Sequence, residues 1–127
     1  MSNETLPSLA ATQLKIAALW LLFGLVMGIV MAATHDFRLN GVHAHINLLG
    51  WATLALTGLV YASVPTMLKS RLAYGHFWLH NLGLVVMMTG LAAFRFGFAA
   101  AEPLIAVGAI ATTLGVALFV LNLFYRV

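Results

Sequence analysis

The chain has 127 residues, of which 63% are hydrophobic and only 7% charged, with a formal net charge of +3 and no cysteine. Soluble domains carry about a quarter charged residues, so this composition excludes a chain that covers itself in water. The missing cysteines exclude disulfides, thiolate metal sites and cysteine nucleophiles together.

Four apolar stretches follow in order: about Leu14–Ala33, Val42–Met67, Tyr74–Phe94 and Pro103–Phe124. Each has the ~20 residues a helix needs to cross the ~30 Å hydrocarbon layer. Spanning barrels need alternating strands, and none is present in the pattern. The expected fold class is therefore an all-α integral membrane protein, a single-domain bundle of four transmembrane helices. A short polar tail, Met1–Ser8, ending in Pro7, precedes the first helix. That first stretch is too long for a signal-peptide core and no small-residue cleavage site closes it, so it reads as a retained helix.

The basic residues are scattered singly through the loops, which argues for membrane orientation and against nucleic-acid binding. Lys15, Lys69, Arg71 and Arg126 fall on one side of a four-helix weave. On the other side, Arg38 and Arg95 are offset by Asp36 and Glu102. The positive-inside rule then places both termini in the cytoplasm, and the expected location is the plasma (inner) membrane of a bacterial cell. Small residues recur every four positions at Gly24, Gly28 and Ala32, and pair as Gly108 with Thr112 and Ala111 with Gly115. Such faces let helices approach closely in lipid, either within one chain or between copies.

The chemistry lies in five histidines. His43 and His45 open the second helix, and residues two apart on a helix point about 200° away from each other. They cannot chelate one ion from a regular helix, so they address two different cavities, or one of them faces a neighbouring subunit. That arrangement suits axial ligation of haem iron, with one histidine on one face of one macrocycle. Water- and backbone-bonded interfacial histidines are the plainer alternative. His35, Asp36 and Arg38 lie in the preceding loop. They could hold a second metal, bond haem propionates, orient a ligand imidazole, or stand as a solvated loop. His76 and His80, four apart at the start of the third helix, share a face and could chelate an ion. With Trp78 they also read as an interfacial anchor. Counting residues along the helices puts this pair on the order of 25–30 Å from His45.

Met27, Met31 and His35 form a four-residue stripe, readable as packing or as a copper(I) path, while Met87 and Met88 read as core. Paired membrane carboxylates, a phosphate loop and a Ser/His/Asp arrangement are all missing from the inventory. A quinone or a gas molecule could enter a cavity of the bundle, but no residue pattern marks one.

The run His35-Asp36, six further residues, then His43-Ala44-His45 resembles the loop and tenth helix of haem–copper oxidase subunit I. The likeness continues through Leu49-Gly50-Trp51, Gly58-Leu59-Val60-Tyr61, Val64-Pro65, His76-Phe77-Trp78-Leu79 and Gly83. The Leu-Gly-Trp form is similar to the C-type cytochrome c oxidases and nitric oxide reductases. The resemblance covers roughly Met31–Gly83 and implies that His43 and His45 are haem axial ligands, with His35 and Asp36 near the propionates. It implies a four-helix miniature of helices nine to twelve, about a third of the family's subunit. The copper-binding histidines of that family have no counterpart here, which argues against a complete oxidase. Haem b is the expected cofactor, since no Cys-x-x-Cys-His attachment is present, with copper or another divalent metal as the alternative, and a homo-oligomer such as a trimer is expected to complete the cavities. Electron transfer or gas and redox sensing, with a redox protein or quinone as partner, is the expected function. A copper- or zinc-binding protein using His35, Asp36, His43 and His45, and a cofactor-free accessory subunit, are the alternatives.

Overall fold

The computed structural model describes residues 7–127, all of them in helices and short connections. The polar tail expected at the start lies, up to residue 6, outside the described residues. Four helices are long and apolar enough to span a membrane: α1 (Ser8–Thr34), α2 (Asn40–Ser63), α3 (Arg71–Arg95) and α4 (Glu102–Arg126). The chain is an integral membrane protein, and its lipid-facing side chains, Leu19, Phe23, Ile29, Leu56 and Val107 among them, are each about half exposed or more.

The helix ends follow local chemistry. α2 stops at Ser63 instead of continuing to Met67 as the apolar run suggested. Pro65 has no N–H to give, and its ring drives Val64 out of the helical region, to φ −126° and ψ 73°. A short 3₁₀ turn, Pro65–Lys69, then leads to α3, where the Ser70 hydroxyl accepts the Leu72 N–H at 3.1 Å. α1 ends on His35, whose φ of 53° is left-handed. Gly97, at φ 99°, turns the chain out of α3.

α2 is not a uniform helix. It is α-helical over Asn40–His45, π-helical over Ile46–Thr53 and α-helical again over Leu54–Ser63. The wider turn shifts the phase of everything below His45. Such insertions are uncommon and gather at functional sites.

The helices pack in sequence order as an open arc, α1 on α2, α2 on α3 and α3 on α4. The middle helices carry the core: 39% of the most apolar window is buried in both α2 and α3, against 17% in α1 and 22% in α4. α3 and α4 meet most closely, because Gly83 faces Thr112, Gly108 faces Met87 and Gly115 faces His80. On α1, Gly24 receives Asn47 and Gly28 receives the His43 ring. The small-residue faces are thus used inside the chain, by backbones held close through van der Waals packing. Met87 and Met88 are core, as their spacing suggested.

The arc leaves a groove on each of its two faces. One, of about 740 Å³, runs between α1 and α3 over Val42 and Ile46. The other, of about 820 Å³, runs between α2 and α4 over Met87. At the end of the molecule that carries both termini, Ala10, Tyr61, Met67, Ala73 and Phe119 close the arc into one cluster.

Candidate functional site

His45 lines the α2/α4 groove together with Leu49, Thr112, Thr113, Ala117 and Leu121. Its Nδ1 lies 2.7 Å from the Gly41 carbonyl oxygen. A carbonyl only accepts, so Nδ1 carries the proton and Nε2 keeps its lone pair. A backbone carbonyl fixing one ring nitrogen while the other stays basic is how ligating imidazoles are held. The groove around it offers mostly aliphatic side chains, as cofactor clefts do.

His43 turns the other way, as the helical angle requires. Its ring packs against Gly28 of α1, where an added Cβ would lie 3.1 Å from its Cε1. Asn47 stands beside it, with Nδ2 at 3.4 Å from both ring nitrogens and 2.9 Å from the His43 carbonyl oxygen. The two histidines therefore address different sides of α2, and only His45 opens on a groove.

The loop residues sit on the face away from His45. Arg38 and Asp36 line a cleft of about 440 Å³ with Met27, Met31 and Phe96. Arg38 grips both carboxylate oxygens, with Nε at 3.0 Å and Nη2 at 2.5 Å, and its guanidinium lies 4.5 Å over the Phe96 ring. These bonds hold the Asp36 carboxyl down at a pKa of about 2 and raise that of Arg38. Arg95 donates to the Arg38 carbonyl at 2.9 Å, tying the first loop to the end of α3. His35 is exposed at the tip. Asp36 is thus committed to Arg38, and His35 does not share the groove of His45.

His76 and His80 depart most from the sequence reading. Both are completely buried, so His76 is not an interfacial anchor, whereas Trp78 between them is 57% exposed to the lipid side. Nor does His80 lie at the far end of the molecule, although His76 packs against Tyr61 and Phe119 of the cluster there. The His80 ring reaches the Leu49 carbonyl, with Nε2 at 3.0 Å. Leu49 is four residues from His45, about 6 Å along the helix axis. The reason is that α3 begins at Arg71, three residues before the apolar run, which carries His80 well into the membrane.

A continuous chain of hydrogen bonds results. The Tyr61 hydroxyl lies 2.9 Å from His76 Nδ1, and His76 Nε2 lies 3.2 Å from His80 Nδ1. The acceptor-only carbonyl at the end fixes every proton. His80 donates Nε2–H to Leu49, so its Nδ1 must accept from His76 Nε2–H, and His76 Nδ1 accepts from Tyr61. Leu49, the acceptor, lies in the π-helical segment Ile46–Thr53 of α2. In this arrangement the facing ring nitrogens of the two imidazoles are hydrogen-bonded to one another.

Other buried polar groups went unmarked in the sequence reading. Gln13 is fully buried on α1 and bonds to Thr57 Oγ1 and, at 3.3 Å, to the Leu54 carbonyl. Asn122 on α4 donates to the Met67 carbonyl at 3.0 Å and stands beside the Tyr61 hydroxyl. Each is a lone polar residue in an apolar span, which is the signal that finds them. Among the described residues no group of three or more histidine or carboxylate side chains gathers as a metal site. No protein-family model, curated protein or solved structure matches this chain.

Proposed function

We propose that this is a membrane b-type haem-binding protein, resembling haem–copper oxidase subunit I, which serves electron transfer or redox and gas sensing. The observation that carries the reading is His45: Nδ1 bonded to Gly41, with Nε2 left basic beside an apolar groove of about 820 Å³. Those residues fit an axial ligand and a hydrophobic wall, and the haem would supply the redox chemistry. The His-x-His and Leu-Gly-Trp runs support the same reading.

One chain offers one open ligand, because His43 is turned onto α1. A second copy then supplies the opposite axial histidine and a guanidinium for the propionates. The two faces of the arc differ, one carrying His45 and the other Arg38 and Asp36. Pairing unlike faces is a heterologous contact, which makes a ring when the rotation between copies closes. The reading is therefore a cyclic homo-oligomer, with three copies as the family's threefold arrangement implies. The placement of Lys15, Lys69, Arg71 and Arg126 supports cytoplasmic termini, and a bacterial inner membrane is the location that goes with this reading.

The test is an optical spectrum of detergent-purified protein from haem-replete cells, oxidised and reduced, with metal analysis and solution mass on the same sample. A Soret band and a mass of several chains are expected. Protein without haem absorbance, or stoichiometric copper or zinc in its place, overturns the reading.

A further inference from the structure

The Tyr61–His76–His80 chain begins in the cluster at the terminal end and finishes on Leu49, which lines the same groove as His45. It therefore joins the buried cluster near that end, where Tyr61 is fully enclosed, to the wall of the groove by an unbroken path of hydrogen bonds, at 2.9, 3.2 and 3.0 Å. Polar groups at this depth are costly, and a chain of three is more than helix–helix adhesion needs.

We propose that Tyr61, His76 and His80 form a proton relay that charges His80 when the haem at His45 is reduced, so that one proton accompanies one electron. The inference rests on the haem reading above.

The steps balance without any change at carbon. A proton reaching the Tyr61 oxygen releases the hydroxyl proton to His76 Nδ1. His76 then passes its Nε2 proton to His80 Nδ1. One proton has entered at Tyr61 and one positive charge has arrived at His80, which keeps its Nε2–H on the Leu49 carbonyl. Tyr61 and His76 end neutral, with their two hydrogen bonds reversed. The electron comes from a quinol-class or chemical reductant. The carbonyl cannot take the proton onward, so His80 is a terminus, and its charge offsets the electron placed in the groove above.

The surroundings leave the assignment to these residues. α2 contributes Tyr61 to the chain, α3 contributes His76, and α4 contributes Asn122, an amide. α1 contributes Gln13, which is bonded to Thr57 and Leu54. Among the described residues no carboxylate, lysine or arginine is hydrogen-bonded to any member of the chain.

The test is redox titration of the haem-loaded protein at a series of pH values, with proton uptake followed by a pH-sensitive dye. In the unaltered protein the midpoint potential should fall by up to about 59 mV per pH unit, the tenfold equivalent of one proton per electron. His80→Gln, which retains a donor for Leu49, should bind haem with an unchanged Soret band and a flat potential. Tyr61→Phe should keep the slope but slow proton uptake at least tenfold. A merely structural role would leave slope and uptake unmoved. A pH-independent potential in the unaltered protein, or an undiminished slope in haem-loaded His80→Gln, overturns the relay and leaves haem binding standing. Protein that carries no haem overturns both.

Discussion

His80 donates its Nε2–H to the Leu49 carbonyl oxygen at 3.0 Å, across the interface between α3 and the π-helical part of α2. This bond fixes the register of α3 against α2 and sets the direction of every proton in the chain that ends there.

Removing that bond should therefore loosen the α2/α3 seam. His80→Ala takes away a donor to Leu49 and an acceptor for His76, both in the membrane interior. Hydrogen bonds between transmembrane helices are worth about 0.6 kcal/mol each and at most about 1.7. The expected loss is about 1–3 kcal/mol, since a cavity is added to two lost bonds. Unfolding in mixed detergent measures it, and a stability equal to that of the unaltered protein contradicts the arrangement.

Glycines separate packing from backbone strain. At Gly83 an added Cβ would sit 2.7 Å from both the Thr112 amide nitrogen and its hydroxyl, so α4 has to move. Gly83→Ala should cost about 1–3 kcal/mol. At Gly41 the nearest atom is Leu91 Cδ2 at 3.8 Å, an ordinary contact. Gly41→Ala should be neutral or stabilising by up to ~1 kcal/mol, through helix propensity alone. The same unfolding assay compares the two, and equal effects would show that α3 and α4 are not held at this distance.

Much of this was legible in the residues themselves. The four spans follow from composition, because a run such as residues 103–124 has no other way to be satisfied in water or lipid. The divergence of His43 and His45 follows from helical geometry, which holds above the π-turn. The buried chain was not legible. Its members lie on two helices, and Tyr61 meets His76 only once the α2/α3 register is known. The π-turn adds a residue's worth of phase that no apolar pattern records. Counting from the apolar run also missed three residues of α3, which moved His80 from the membrane edge toward its middle.

The Asp36–Arg38 pair gives an acid-sensitive loop. The Asp36 carboxyl is held at a pKa of about 2, below its ordinary value of 3.8, by the Arg38 side chain and backbone N–H. A depressed carboxyl stabilises the folded loop at pH above its ordinary value, and that contribution fades as pH falls from 3.8 toward 2. The pair is exposed, so the effect is local order and not global unfolding. Carbon-detected NMR of the carboxyl should give a midpoint near 2. Arg38→Gln should move it up toward the ordinary value, and a midpoint already there in the unaltered protein contradicts the pairing.

The groove can be tested apart from its ligand. Ala117 lines it, exposed on α4, so Ala117→Trp fills space in the groove that His45 also lines without entering the packed α3/α4 seam. The fold should be retained, with unchanged helicity and unfolding behaviour, because no buried atom is displaced. Haem should nevertheless be lost or reduced at least tenfold, since the macrocycle and the indole compete for the same wall. His45→Ala should lose the Soret band with the groove intact, by removing the basic Nε2 that Gly41 orients. His43→Ala tests the proposed oligomer, since its ring lies on Gly28, away from the His45 groove, and would serve a haem held by a neighbouring copy. It should leave haem bound but convert a six-coordinate spectrum to a five-coordinate, high-spin one. Haem retained at full occupancy in both Ala117→Trp and His45→Ala would place the cofactor outside the α2/α4 groove.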